Sequence, residues 1–208
     1  MSLKNHIIET SIELFSQNGI KRVSMDDISR KANVSKRTLY DFFKDKEDLL
    51  IEALYNIRKP VANYFEMSEK SSETALDVIL GFRSLMLERS TGLCENFWED
   101  IKRYPGAIQV LKDGQYKFLD EFIDLLKRGE KEEIFVSDIN YEIVSMLAHN
   151  ELRMAKRPSD MLSKFSIREV HNTVFYIFIR GICTDAGRKI FDKYVMKVKY
   201  QKDFSVGI

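Results

Sequence analysis

Residues 24–50 read SMDDISRKANVSKRTLYDFFKDKEDLL, and three short polar residues divide the stretch into helix starts. Ser24 precedes a segment with Asp26 and Asp27 in its first turn, where free backbone N–H groups and the helix dipole favour anions. Ser35 precedes a second segment, Lys36 to Phe43, and Asp45 a third with Asp48 at its third helical position. Apolar positions recur at helical spacing: Met25, Ile28 and Ala32 on the first segment, Leu39 and Phe43 on the second, with Val34 in the turn between. Two short capped helices joined by a turn of a few residues have the outline of a helix-turn-helix. Upstream, Ile8, Ser11, Ile12 and Phe15 form the stripe of a leading helix that stops at QNG, where Gly19 suits the left-handed C-terminal position. The apolar residues of the two short helices can close over Ile12 and Phe15, and the small Ala32 lets them approach.

Downstream, Leu50, Ala53, Leu54, Ile57, Val61, Tyr64 and Phe65 predict one long helix if Pro60 is accommodated as a kink. The alternative is an end near Lys59, because proline removes a donor and crowds the preceding turn. Beyond the polar stretch EMSEKSSET, helical spacing returns over 73–89, 92–103, 106–130, 139–156 and 166–186, with a short last stretch near 188–198. Pro105 and Pro158 fall between stretches, as punctuation should. EEIFVSD has the composition of a strand but no partner strand, so it reads as a loop with a buried Phe135. The expected fold class is all-α.

The chain has 208 residues, 44% hydrophobic and 31% charged, a soluble globular profile with length for one or two domains. Its two cysteines, Cys94 and Cys183, fit no metal or disulfide spacing. They suit a reducing compartment, although a redox role for either stays open. With no run of the ~20 apolar residues of a membrane span and no apolar signal block at the N-terminus, the expected location is the cytoplasm. His6, His149 and His171 lie in different segments without metal-protease spacing, and neither a phosphate loop nor a nucleophile elbow is present. No catalytic residue, metal or cofactor is therefore expected. Net charge is +1, but residues 1–46 hold nine Lys/Arg against six Asp/Glu.

That mild excess matters through direction. With Leu39 and Phe43 inward, the second short helix presents Lys36, Arg37, Thr38, Tyr40, Asp41 and Lys44 outward. A helix seated in a major groove reads base edges with residues near its N-terminus. Arg and Lys donate to guanine, and Thr donates to phosphate or touches a thymine methyl. Tyr40 offers a hydroxyl on a stiff ring to a phosphate oxygen, and Lys46 adds its ammonium to the free N–H groups of the next helix start. A three-helix unit with a merely solvated cationic face would look similar, and on these residues alone both readings stand.

The longer stretch IIETSIELFSQNGIKRVSMDDISRKANVSKRTLYDFFKDKEDLLIEAL, residues 7–54, resembles the N-terminal domain of tetracycline-repressor (TetR) type transcription regulators. It shares the LF…G end of the first helix, the Ser-x-x-x-Ile second helix, the VS…TLYxxF recognition element and the KEDLL opening of the fourth. Asn33 stands where glycine is common, a conformation asparagine also tolerates, and Arg37 stands where many members carry glycine. The resemblance implies a helix-turn-helix DNA-binding domain over residues 1–46 and a helical effector-binding and dimerisation domain over residues 47–208. It further implies a homodimer on double-stranded DNA at a palindromic operator, acting as a repressor released by a small-molecule effector. Carried onto this chain, Lys36, Arg37 and Thr38 would face bases, Ser24, Tyr40 and Lys46 would hold phosphates, and Lys44 would assist.

The resemblance also implies that the last two long helices, over 139–156 and 166–186, form the dimer interface, with simple core burial the alternative. Met86, Phe97, Trp98, Tyr116, Phe122, Met146 and His149 are the candidate lining of a pocket for an apolar or aromatic effector, with Arg83 as a further polar group. Such residues also serve as ordinary core. The long helix beginning at Lys46 is expected to be the only direct mechanical link between effector and reading heads. A helical protein-binding adaptor and a small α-helical enzyme are the competing readings.

Overall fold

A computed structural model describes residues 2–69, 71, 73–89, 94–154 and 164–203. Among the described residues the secondary structure is α-helical, with one 3-10 turn and one isolated antiparallel bridge, Phe135 to Cys183. Pro158, and the ends of the stretches expected over 92–103 and 139–156, lie outside the described residues. Two compact units are present: residues 1–71 with 82–117, and residues 72–81 with 118–208.

In the first unit, α1 (Leu3–Asn18) ends where Gly19 adopts φ 80° and donates its N–H to the Phe15 carbonyl. Helix α2 (Met25–Lys31) opens with a reciprocal cap: the Ser24 hydroxyl accepts the Asp27 N–H at 3.1 Å, and the Asp27 carboxylate accepts the Ser24 N–H at 3.0 Å. Two of the helix's orphan donors are thereby satisfied. In the turn, Asn33 takes φ 55°, the left-handed conformation expected of it. Helix α3 (Lys36–Phe42) is capped by the Ser35 hydroxyl, which accepts the Thr38 N–H at 3.0 Å. Helix α4 (Lys46–Glu69) opens with the Asp48 N–H donating to Asp45 at 2.9 Å.

Ile7, Phe15, Ile28, Ala32, Leu39, Phe43 and Leu50 are buried together, so α2 and α3 close over α1 and the start of α4. Each fully buried side chain of this size contributes ~1.5–3 kcal/mol, which holds two seven-residue helices far too short to stand alone. Helix α4 continues through Pro60. Leu54 before the proline and Phe65 after it are both buried, and the Phe65 ring packs on Phe82 at 5.0 Å. This tertiary packing offsets the missing hydrogen bond.

The unit is completed by the C-terminal part of α5 (Ala75–Arg89), α6 (Glu95–Asp100), the 3-10 turn Ile101–Arg103 and the first half of α7 (Pro105–Lys131). Residues 1–46 therefore fold together with segments far beyond them in sequence. The second unit holds the other parts of α5 and α7, with α8 (Tyr141–Met154), α9 (Ile167–Ile182) and α10 (Asp185–Asp203).

Two sequence expectations are corrected in this second unit. The helix expected over 166–186 ends at Ile182, because Cys183 is extended (φ −83°, ψ 141°) and pairs with the loop at Phe135. The Val136 N–H donates to the Ile182 carbonyl at 3.0 Å, and the Thr184 N–H to that of Ile134 at 2.9 Å. The Thr184 hydroxyl then accepts the Gly187 N–H at 3.1 Å, starting a final helix longer than the short one expected over 188–198. Phe135 is buried as expected, seated where a side chain at Gly129 would lie 2.2 Å from its ring.

Candidate nucleic-acid interface

Helix α3 is anchored by Leu39 and the adjoining Phe43, both buried, which turns Lys36, Arg37, Tyr40, Asp41 and Lys44 to solvent. Tyr40 keeps 52% of its surface exposed, which leaves its hydroxyl open to an outside partner. The Lys36 ammonium pairs with Asp26 of α2 at 2.5 Å, an exposed pair of small net worth that a phosphate or base edge can displace. Arg37 carries no ion pair among the described residues. Thr38 is half-buried, its hydroxyl 2.8 Å from that of Ser35, so it braces the start of the helix as well as facing outward.

Two expected phosphate residues have other engagements. The Ser24 hydroxyl donates to Asp27 at 2.6 Å while accepting that residue's N–H, so its proton is committed to the cap. These hydrogen bonds from Ser24, foremost its side chain, hold the Asp27 carboxyl below its ordinary value. Lys46 is half-buried, its ammonium 6.0 Å from the centre of the Tyr104 ring. Burial lowers its pKa, while Asp100 and Asp27 act to raise it. Lys46 therefore stands at the junction of α2, α4 and the α6–α7 turn. Burial, with help from Asp100, also raises the Tyr104 hydroxyl.

That junction corrects the expectation of a single mechanical link. The Asp100 carboxylate accepts the Lys21 N–H at 2.6 Å, the Cys94 N–H donates to the Ser16 carbonyl at 2.9 Å, and the Glu47 carboxylate accepts the Gly106 N–H at 2.7 Å. Helix α6 and the start of α7 thus touch the helix-turn-helix directly, alongside α4. Asp100 and Glu47 were not singled out in the sequence, and Asp26 was read there only as a favourable charge in the first turn of its helix.

The seven candidate pocket residues are divided between the two units. Phe97 is buried in the core beside α1, edge-on to the half-buried Trp98 at 5.3 Å, and Met86 is half-buried in the same unit. In the second unit Phe122 is buried and stacked on Phe118 at 5.6 Å, and Phe118 lies 5.7 Å from His149. Tyr116 is 64% exposed, two residues and about 200° of helix from Phe118. Met146 is 57% exposed, because its helical phase places it with Ile143 and Leu147, opposite the buried Val144, Ser145 and Ala148.

Residues 7–53 match the family model described as bacterial regulatory proteins, tetR family. The chain is 39% identical over 70 residues to the uncharacterized HTH-type transcriptional regulator YhgD of Bacillus subtilis, an alignment that spans 34% of each protein. It is 23% identical over 170 residues to an uncharacterized HTH-type transcriptional regulator of Haemophilus influenzae, covering 82% of this chain and 80% of that one. Among solved structures, a gamma-butyrolactone receptor (ArpA-like protein) superposes with a TM-score of 0.73 at 16% identity, over 96% of this chain and 97% of the other. At that identity the likeness is one of fold.

Proposed function

This chain belongs to the TetR family of bacterial regulatory proteins, and from that premise we propose that it is a homodimeric repressor of a palindromic operator, released by a small-molecule effector. The observation that carries the reading is the outward face of α3. Arg37 and Tyr40 stand exposed on a helix whose opposite side is locked to the core, and Lys44 is exposed just beyond its end. Arg37 and Lys36 reach base edges from the helix start, with Thr38 as the shorter contact between them. Tyr40 and Lys44 take phosphates, and Lys46 contributes charge from the start of α4. Ser24 acts through the cap that orients α2.

The dimer reading rests on apolar surface left uncovered in the second unit. Ile143, Met146 and Leu147 of α8 are exposed, as are Tyr176 and Ile177 of α9. Gly181 on α9 is exposed and faces open space. A glycine there costs about 1 kcal/mol against alanine, and nothing among the described residues uses the room. A second copy packing α8 and α9 against their equivalents covers all six positions.

Electrophoretic shifts of genomic fragments by the purified protein test the reading. Retarded fragments sharing a two-fold symmetric sequence support it; uniform weak retardation at low salt only would reduce the cationic face to a solvated surface.

A further inference from the structure

We propose that Arg58 receives the acidic group of an organic anion, so that the effector is a carboxylate or similar oxyanion; this rests on the reading of the chain as effector-responsive. Arg58 projects from α4 onto α7, where its Nη1 donates to the Val110 carbonyl at 2.6 Å. One turn further along α7 is Gly114. A Cβ at that position would lie 1.7 Å from the Arg58 Cζ and 1.8 Å from its Nη2, so the guanidinium occupies the volume a side chain would fill. Glycine inside a helix is less favourable than alanine, and here it makes a seat for the cation.

The seat leaves charge uncompensated. Arg58 and its neighbour Gly114 are half-buried, and Val110 is buried. Among the described residues no carboxylate stands within ion-pairing distance of this guanidinium. Other partly shielded arginines of the chain differ: Arg128 pairs with Glu132 at 2.8 Å, and Arg180 pairs with Asp192. Tying α4 to a carbonyl of α7 needs only a neutral donor such as glutamine. The surplus is a positive charge and most of five N–H donors in a rigid fork, which match two oxygens of one oxyanion. A partly desolvated cation without a counter-charge is costly until such a group arrives. Val61, one turn further along α4 and only half-buried, offers apolar surface for the body of the ligand.

Octanoate and octan-1-ol, matched in length and differing in the acidic group, serve as probes of the full chain. Trp98, the sole tryptophan, and the melting temperature report binding. Octanoate is expected to change Trp98 fluorescence saturably and raise the melting temperature, with octan-1-ol having little effect. Arg58→Gln, which retains a donor for Val110, should weaken octanoate at least tenfold while melting as the parent does, and Arg58→Lys should fall between. Equal responses to acid and alcohol, an unchanged response in Arg58→Gln, or none to millimolar octanoate would overturn the site. In the last case unimpaired duplex binding would leave the regulator reading standing. Conversely, octanoate binding through Arg58 in a protein without duplex affinity would keep the site and remove that reading.

Discussion

The carboxylate of Asp100, at the end of α6, accepts the backbone N–H of Lys21 at 2.6 Å, tying α6 to the turn that leads into the helix-turn-helix. The packing is close: a side chain at Gly19 would come within 2.8 Å of the Asn96 Cβ and 3.0 Å of the Asp100 Oδ2. Asp100 also acts electrostatically on Lys46, so the carboxylate that holds the head in place would compete with DNA for that ammonium if Lys46 contacts phosphate as proposed. Asp100→Asn keeps an acceptor for Lys21 and removes the charge. Its melting temperature should stay within a few degrees of the parent, while duplex affinity at low salt rises several-fold. Fluorescence anisotropy with a labelled operator measures this; unchanged or weaker binding would count against the competition.

As a proposed phosphate contact, Lys46 would supply charge without sequence information. Lys46→Ala should therefore weaken every duplex alike and reduce the slope of log affinity against log salt by about one. Anisotropy across a salt series on cognate and scrambled duplexes gives the slope directly. A full-slope variant would place Lys46 outside the phosphate contacts, leaving its packing on Tyr104 as its role.

The dimer face is tested at Ile177, which is 65% exposed on α9. Ile177→Glu introduces a charge where two copies are expected to meet, and desolvating it would cost several kcal/mol. Sedimentation velocity should show the parent as a dimer at micromolar concentration and the variant as a monomer with the same helical circular dichroism. A dimeric variant would move the interface elsewhere.

The cysteines should separate in thiol labelling. Burial pushes the Cys183 thiol up to about 11, so at pH 8 only roughly one part in a thousand is thiolate. Cys94 is half-buried, its thiol 3.9 Å from the Phe15 carbonyl as a weak donor. Reaction of the native protein with a disulfide reagent at pH 8 should modify Cys94 first and Cys183 only on unfolding. Rapid modification of both would show that the strand-like pairing around Cys183 opens in solution.

What could be read from the sequence was local. Ser24, Ser35 and Asp45 cap helices through bonds spanning three residues, and Asn33 advertises its own left-handed turn. The spacing of Phe15, Leu39 and Phe43 then closes the head. What could not be read was long-range. Asp100 meets Lys21 across 79 positions, and Cys183 ends α9 by pairing with a loop that has no strand partner of its own in sequence. Pro60 passed through the helix because Phe65 found Phe82, a contact that local propensity does not contain. Aromatic content suggested a pocket, but helical phase sent Tyr116 and Met146 to the surface and packing drew Phe97 into the core. Arg58 and Gly114 each looked unremarkable until the fold put one in the space left by the other.

Helix α3 is proposed to read bases, and Arg37 is the residue on which that reading turns. The decisive measurement compares footprints and affinities of the parent and Arg37→Ala on a selected genomic operator and on its scrambled sequence. The parent should protect two symmetric half-sites about 10 base pairs apart, or a multiple of that spacing. Arg37→Ala should lose ~1–3 kcal/mol on the operator and far less on the scrambled duplex. A parent that protects no discrete site, or a variant that discriminates between the duplexes as the parent does, would contradict the account.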